Sequence, residues 1–261
     1  MRARGASTFL LSLLVGLAYL FLYVPIFVLI VFSFNDNPLG YYWTGFTTRW
    51  YFELIASTEI WGALKNSILI ACSSVAVSIS MATAFVVSAR NTALERLLLL
   101  FYGNLAVPEI VLAVGLLALF YSFSVVLGMT TLIAAHSLLG LGYAVPLIYT
   151  RFESLDRRFV EASLDLGATR WQTFRLIILP LLTPALISSS LLVFIISFDD
   201  FVLSFFCAGG STQTLPMYIF SMLRAGSSPV VSALSVSLLV GSSILILLFS
   251  SLQARKAGML P

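Results

Sequence analysis

The sequence predicts an all-α, polytopic membrane protein with six transmembrane helices, and this prediction depends on composition and on the spacing of charges. Of the 261 residues, 60% are hydrophobic and 10% are charged, and the mean hydropathy is +1.04. A soluble globular domain carries about 25% charged residues. The composition therefore excludes a soluble enzyme, a nucleic-acid-binding domain and a disordered chain. The predicted spans cover residues 9–34, 66–89, 97–123, 131–149, 181–206 and 230–252.

The first two spans are uninterrupted apolar runs. No charge occurs in residues 5–35, and 24 uncharged residues separate Lys65 from Arg90. A bilayer core about 30 Å thick needs about 20 apolar residues in helical form. Each run is therefore long enough for one transmembrane helix.

The next interval is long enough for two helices. Between Arg96 and Arg151 lie 54 residues whose only charge is Glu109. As a single helix they would extend for about 80 Å, far more than the bilayer thickness. The chain must therefore fold back, and residues 124–130, which include Gly128, form the predicted turn between the third and fourth spans.

The last two spans follow a charged loop. The 48 residues between Arg175 and Arg224 carry only the charges of Asp199 and Asp200, and the fifth span begins after Pro180. A connection rich in Gly, Ser and Thr follows on the predicted external side. The uncharged residues 225–254 then supply the sixth span, so that residues 1–261 are predicted to form a single membrane domain.

The distribution of Lys and Arg predicts that both termini are cytoplasmic. With that orientation, eleven basic residues fall in cytoplasmic segments and three in external ones. Basic residues are enriched in the cytoplasmic loops of membrane proteins. This bias explains the net charge of +3 without a nucleic-acid partner. The external three are Arg49, Lys65 and Arg224.

The sequence predicts no catalytic, metal or disulfide site. Cys72 and Cys207 lie in different segments and His136 is the single histidine, so neither a disulfide framework nor a metal-ligand cluster is expected. The phosphate-binding pattern Gly-x4-Gly-Lys-Ser/Thr is absent from the sequence, so no ATP or other cofactor is expected to bind to this chain.

An aromatic-rich loop follows the first span. Its rings are Tyr41, Tyr42, Trp43, Phe46, Trp50, Tyr51 and Phe52. One interpretation is an interfacial belt that holds an amphipathic segment on lipid at the outer leaflet. The alternative is that one or two rings, Trp43 in particular, line the external mouth of a substrate path.

The predicted cytoplasmic loop, residues 150–180, holds nine of the chain's 25 charges. Gly167 stands where a helix C-cap belongs, and Thr169 with Gln172 forms a capping-box pattern that begins a second helix. The apolar residues of the first helix recur at helical spacing, which indicates one apolar face; they are Leu155, Phe159, Ala162 and Leu166. The pattern predicts either a docking element or an ordinary interfacial helix.

The same loop resembles the EAA loop of ATP-binding-cassette importer permeases, EAA-x3-G-x9-I-x-LP. The matching residues are Glu161, Ala162, Ser163, Gly167, Ile177, Leu179 and Pro180. Ser163 stands where the pattern has its second alanine. The resemblance implies the all-α fold of a type I (MetI-like) importer permease, in which the first loop helix docks in a cleft of a cytoplasmic ATPase. It implies three kinds of partner: a second permease, two ATP-binding ATPase subunits and an external substrate-binding protein.

Other stretches resemble the spermidine/putrescine permease subgroup. They are residues 23–26, 32–35, 107–111, 197–202 and 215–222. One departure is Ser228-Pro229-Val230, where the subgroup has Asn-Pro-Glu. The resemblance implies that the chain is a non-enzymatic permease subunit of an ATP-driven importer in the bacterial inner membrane. Polyamines would enter the cytoplasm through this importer.

Three acids in the predicted spans have no basic partner within any span. Glu109 follows the start of its span by 12 residues, near mid-membrane, and Asp199 and Asp200 lie about 27–29 Å along theirs, toward the outer face. Intramembrane acids usually mark an ion or substrate path. Three carboxylates staggered along the depth of the membrane suit the ammonium groups of a multivalent cation, with methylene groups lying against aromatic rings.

Less specific roles for these residues stay open. The two aspartates can form a solvated helix end, and Glu109 can be a protonated acid that bonds to a neighbouring helix or to a partner subunit. His136 differs from Glu109 in depth by roughly 13 Å, which makes it a poor partner and favours a packed helix interface.

Other function classes fit the sequence less well. An intramembrane serine protease needs a Gly-x-Ser-Gly nucleophile followed by a histidine, and the sequence lacks that order. A secondary transporter would show inverted repeats and broken helices, which the sequence does not indicate. Among importers, permeases for amino acids, thiamine, metals or oxyanions remain as alternatives.

Overall fold

A computed structural model of the chain describes residues 2–38, 40, 42–89, 96–104, 106–210, 212–226 and 229–256. These residues form helices and connecting turns, which confirms the predicted all-α fold. Tyr41, Arg90 and Ser228, which the sequence analysis used, lie outside the described residues.

The helices are numbered in chain order. They are α1 (Arg2–Phe32), α2 (Arg49–Ala56), α3 (Thr58–Ala89), α4 (Leu98–Asn104), α5 (Glu109–Ser122), α6 (Met129–Glu153), α7 (Arg157–Asp165), α8 (Arg170–Thr173), α9 (Leu179–Asp199), α10 (Val202–Cys207), α11 (Leu215–Ala225) and α12 (Pro229–Lys256). A π-helical turn, Phe174–Ile178, joins α8 to α9.

Within the described ranges, four helical segments are long and apolar enough to cross a membrane. They are Leu11–Phe32, Thr58–Ala89, Met129–Glu153 and Arg170–Asp199. Two shorter apolar helices, Glu109–Ser122 and Pro229–Ile244, accompany them. Together these segments are compatible with the six predicted spans.

Two of the predicted spans are divided in the structure. The span 97–123 consists of α4 and α5, and the span 181–206 consists of α9 and α10. The first break precedes Pro108, because proline disfavours helical geometry at the residue before it. The second is at Asp200, whose backbone is extended with ψ 124°. Broken helices were not predicted, since a charge-free interval gives the length of a segment and not its continuity.

The chain forms two compact units, and the larger comprises Glu59–Tyr218. Its central helix, α6, packs against α4, α5, α9 and α10. Gly140 allows a close approach there, since a Cβ at this position would lie 2.8 Å from Val193 Cγ1. Nearby, Ser78 Oγ donates to the Ser137 carbonyl over 2.9 Å. Small residues and interhelical hydrogen bonds of this kind hold helices together in lipid.

The smaller unit comprises Met1–Thr58 and Ile219–Pro261. In it, α12 packs against α1 and α2. Buried Asn35 organises the loop between α1 and α2, because its Oδ1 accepts from the backbone N–H of Asn37 and of Thr44 at 3.3 and 3.0 Å. The Trp50 indole also donates to the Asn35 carbonyl over 2.7 Å. The loop is therefore an ordered element with a fixed backbone.

Candidate functional site

Glu109 lies at the start of a helix and not in the middle of one. The break between α4 and α5 ends at Pro108, which has φ −57° and ψ 132°, and Glu109 is the first residue of α5. Its side chain is exposed. An acid in the first helical turn interacts favourably with the helix dipole. The break therefore determines where this carboxyl group is presented.

The second break gives Asp199 and Asp200 different surroundings. Asp199 is the last residue of α9 and is exposed, whereas the Asp200 side chain is only 1% exposed. The Asp200 carboxylate accepts hydrogen bonds from the backbone N–H of Leu203 at 3.2 Å and of Ser204 at 2.9 Å. It thus satisfies amide groups at the beginning of α10 that have no partner within the helix.

The three predicted acids line one pocket of about 420 Å³. Its other lining residues are Ile195, Ile196, Phe201 and Val202. The sequence analysis staggered Glu109 and the two aspartates along the depth of the membrane, and the structure instead brings them together, because α5 begins and α9 ends at this pocket. Glu109, the first residue of α5, therefore lines the same pocket as Asp199 and Asp200. Ionised carboxylates that line one pocket repel one another, and a bound cation offsets this repulsion.

His136 of α6 is the residue of this site that the sequence analysis did not assign to it. Its ring is buried, as predicted for a helix-interface residue. Its Nδ1 lies 2.9 Å from Ser197 Oγ, and its Nε2 lies 3.3 Å from Ser204 Oγ and 3.5 Å from Asp200 Oδ2. The depth comparison with Glu109 missed this contact, because it assumed unbroken helices and considered a different acid.

Trp43, the fourth predicted path residue, belongs to the smaller unit. It lies in the ordered loop between α1 and α2, and its side chain is 48% exposed. Tyr42, Phe46 and Phe52 are likewise exposed. The role of Trp43 in a substrate path stays a prediction, as does the alternative that the aromatic loop forms an interfacial belt.

The charged loop, residues 150–180, has the glycine cap that its sequence predicts, and also an N-cap at Asp156 that was not predicted. Asp156 accepts from the Arg158 backbone N–H at 3.0 Å and begins α7. Gly167 ends it with φ +83°. The Gly167 N–H donates to the Leu164 carbonyl over 2.9 Å, and the Ala168 N–H donates to the Ser163 carbonyl over 3.0 Å. These two bonds form a Schellman motif, in which a left-handed glycine satisfies the last carbonyls of a helix.

The second half of the charged loop is continuous with the fifth span. Thr169 and Gln172 form the predicted capping box, with bonds of 2.7 and 3.3 Å. The helix that begins there extends from Arg170 to Asp199 without a break at Pro180. The π-helical turn lies directly before Pro180, where it accommodates the missing N–H and the bulk of the proline ring. The loop therefore leads into the pocket through one helix.

A hydrogen bond ties the two helices of the charged loop together. Ser163 Oγ lies 2.9 Å from Thr173 Oγ1, and both side chains are buried. On the other side of α7, Glu161 and Ala162 are exposed. Ile177 and Leu179 are half-buried and Pro180 is exposed. Of the predicted apolar face, Phe159 (57%) and Leu166 (89%), which directly follows α7, are exposed, whereas Leu155 packs against the core. The exposed part of this face can enter a groove of a partner.

Comparison with known protein families supplies the class of the molecule. Residues 74–257 match the family described as the binding-protein-dependent transport system inner membrane component. The chain belongs to this family. It is therefore an inner-membrane permease and not an enzyme, as the sequence predicted. The match includes α5, α9, α10 and the charged loop, so the pocket and the loop are parts of a transport subunit.

Curated relatives resemble the permease over most of its length. The spermidine/putrescine transport system permease protein PotC of Escherichia coli (strain K12) is 37% identical over 247 residues, which cover 91% of this chain and 90% of PotC. The putrescine transport system permease protein PotI of the same strain is 34% identical over 249 residues, which cover 92% of this chain and 89% of PotI. These relatives confirm the resemblance on which the sequence analysis drew.

Two solved structures share the fold. A crystal structure of a bacterial ABC transporter involved in the import of the acidic polysaccharide alginate matches with a TM-score of 0.74 and 16% identity, over 96% of this chain and 98% of that one. The MetNI methionine ABC transporter in an inward-facing conformation matches with a TM-score of 0.58 and 15% identity, over 80% of this chain and 98% of that one. At these identities the likeness shows the fold of the permease and nothing about its substrate.

Proposed function

We propose that this permease translocates polyamines such as spermidine and putrescine across the inner membrane into the cytoplasm. The observation that carries the proposal is the pocket in which Glu109, Asp199 and Asp200 meet beside the apolar residues Ile195 and Phe201. A polyamine alternates ammonium groups with methylene chains, so it needs carboxylates next to apolar surface. The similarity to PotC and PotI over about nine tenths of the chain supports the same substrate class.

The pocket is poorly suited to oxyanions and metal ions, two of the other solute classes of importers. An oxyanion would be repelled by the acids that line it, and a metal ion would need a convergent ligand set, which the described residues do not provide. A diamine or triamine can pair with Asp199 and Glu109 while its methylene groups lie on Phe201. A cation with an aliphatic chain uses the acids and the apolar wall together.

The complete importer contains further subunits. The permease pairs with a second permease, identical or homologous, and two ATPase subunits bind the charged loop in the cytoplasm. An external polyamine-binding protein delivers the substrate, and membrane lipid surrounds the spans. ATP is bound by the ATPase subunits and not by this chain, and the basic residues follow the membrane topology and need no nucleic-acid partner. The distribution of basic residues supports a topology with both termini in the cytoplasm.

Coupling between ATP and transport passes through the charged loop. The exposed face of α7 docks on the ATPase, and the Ser163–Thr173 contact transmits its displacement to α8. Because α8, the π-helical turn and α9 form one helix, the displacement reaches Asp199 at the far end. The pocket then alternates between two accessible states whose populations depend on ATP and on substrate.

A competition experiment tests the proposed function. Cells that lack polyamine uptake are given this chain with its partner subunits, and the import of labelled spermidine and putrescine is measured. We expect saturable, ATP-dependent import that unlabelled polyamines inhibit and that amino acids, thiamine and oxyanions do not. Import of one of those competitors in place of polyamines would refute the substrate class and leave the permease architecture intact.

A further inference from the structure

The three acids of the pocket are not equivalent. Glu109 and Asp199 are exposed, whereas the Asp200 side chain is 1% exposed and its oxygens already accept from two backbone N–H groups of α10. The His136 ring lies against the same carboxylate, with Nε2 3.5 Å from Asp200 Oδ2. A carboxylate has about four lone-pair sites; the two backbone N–H groups take up two of them, and burial closes the carboxylate to solvent. Asp200 therefore has little capacity left for a substrate ammonium group.

The His136 ring contacts both sides of the break between α9 and α10. Ser197, on the last turn of α9, lies 2.9 Å from Nδ1. Ser204, on α10, lies 3.3 Å from Nε2, and Asp200 lies between these two serines in the chain. The His136 side chain itself is 0% exposed. Because α6 is the central helix of the larger unit, the ring connects the bend to the most deeply packed part of that unit.

We propose that His136 and Asp200 are positioning residues that together form a buried brace. The brace holds the bend between α9 and α10, which lines the pocket together with Glu109 at the start of α5. Asp199 and Glu109 are then the groups that contact the substrate. This inference deepens the proposed function and rests on it for the identity of the ammonium ligand, while the brace itself is a statement about the geometry of the pocket.

Substitutions at His136 separate the two ends of the ring. His136→Gln keeps a donor near the position of Nε2, toward Asp200, and His136→Asn keeps a polar atom near that of Nδ1, toward Ser197. His136→Leu keeps a side chain of similar size and loses both polar atoms of the ring. The matched control is Ser137→Ala, because Ser137 is the next residue of α6, is buried, and has a hydroxyl group without a hydrogen-bond partner among the described residues.

The first readout is the kinetics of spermidine import by the reconstituted importer. We expect His136→Leu and His136→Asn to raise KM about tenfold with a smaller change in kcat, and His136→Gln to restore KM to within about threefold of wild type. Ser137→Ala should match wild type. A purely structural role for His136 would instead lower the amount of assembled importer in all three variants and leave the KM of the surviving fraction unchanged, which would overturn the brace.

The second readout does not depend on polyamines. Asp199→Cys is introduced together with Cys72→Ser, which removes the exposed cysteine, and Cys207 is retained because it is buried. The rate at which a cationic methanethiosulfonate reagent modifies position 199 is then measured. We expect His136→Leu to change this rate at least threefold, and His136→Gln and Ser137→Ala to leave it as it is.

The two readouts distinguish failure of the brace from failure of the proposed function. A changed modification rate in His136→Leu, together with no polyamine import by wild type, would support the brace and reject the substrate. An unchanged modification rate and an unchanged KM in His136→Leu would overturn the brace. Equal damage by His136→Gln and His136→Leu would also overturn it, because the contact with Asp200 would then be irrelevant.

Discussion

Gly167 provides the strongest test of the charged loop as a coupling element. Its φ is +83°, in the left-handed region, and it closes the Schellman motif at the end of α7. A Cβ added at this position would have no neighbour within 4 Å. A substitution at Gly167 therefore acts through the backbone conformation and not through a steric clash. Different substitutions can then be compared by the cost of the left-handed conformation alone.

The size of the effect follows from that conformation. The left-handed conformation costs a residue with a Cβ about 1–2 kcal/mol. β-Branched residues adopt this conformation least readily, and asparagine adopts it most readily. We expect Gly167→Val to cost about 2 kcal/mol, which reduces the ratio of capped to uncapped loop about thirtyfold. Gly167→Asn should cost about 1 kcal/mol or less.

The assay is the number of ATP molecules hydrolysed per substrate molecule imported in proteoliposomes. Gly167→Val should raise this number several-fold or prevent the ATPase subunits from binding, because the position of α7 relative to α8 is no longer defined. Gly167→Asn should stay close to wild type. Normal assembly and normal coupling in Gly167→Val, or equal damage by Gly167→Asn, would show that the left-handed cap at Gly167 is not needed for coupling.

Three further predictions concern the pocket, the helix packing and the contact within the loop. Glu109→Gln and Asp199→Asn should each raise the KM for spermidine about fivefold, since an exposed ion pair contributes about 1 kcal/mol or less; assembly measured by co-purification should not change. Gly140→Ala should lower the free energy of unfolding in detergent by about 1–3 kcal/mol, because the added Cβ would collide with side chains of α3 and α9. Gly115→Ala is the control and should leave the stability unchanged, because its added Cβ would meet nothing within 4 Å. Ser163→Ala should loosen α7 from α8 by about 1 kcal/mol and slow import at unchanged ATP hydrolysis.

Each of these predictions has a result that contradicts it. Unchanged import kinetics in both acid variants would remove Glu109 and Asp199 from the substrate path. Equal thermal stability of the Gly140 and Gly115 variants would show that the packing of α6 is looser than its contacts indicate. If Ser163→Ala imports substrate at the wild-type rate for each ATP hydrolysed, the displacement of α7 is transmitted by backbone contacts alone.

Local chemistry explains why much of the charged loop could be predicted from the sequence. Gly167 and the pair Thr169 and Gln172 act within a few residues of their own position, so their caps are visible in the sequence and are present in the structure. The apolar segments were equally predictable, since a membrane span requires a minimum length of uncharged chain. These features need no knowledge of the neighbouring helices.

The pocket could be predicted only in part, because it depends on tertiary contacts. Pro108 was a readable signal for the break before α5, and giving it more weight would have placed Glu109 correctly. Nothing local indicates the break at Asp200. In a membrane, backbone groups freed by a broken helix need partners, and here one partner is the Asp200 carboxylate, held by His136 from 64 residues earlier in the chain. The spacing of residues in the sequence does not indicate the contact between His136 and Asp200.

Photolabelling of the importer during turnover can identify the residues that polyamines pass. A spermidine analogue that carries a diazirine is imported by the reconstituted complex, activated by light, and mapped by mass spectrometry. The label should attach to the peptides that contain Glu109 and residues 195–202. Excess spermidine should abolish this labelling, and Asp199→Asn should reduce it. A label that spermidine displaces but that lies elsewhere in the chain would contradict the claim that polyamines pass through this pocket.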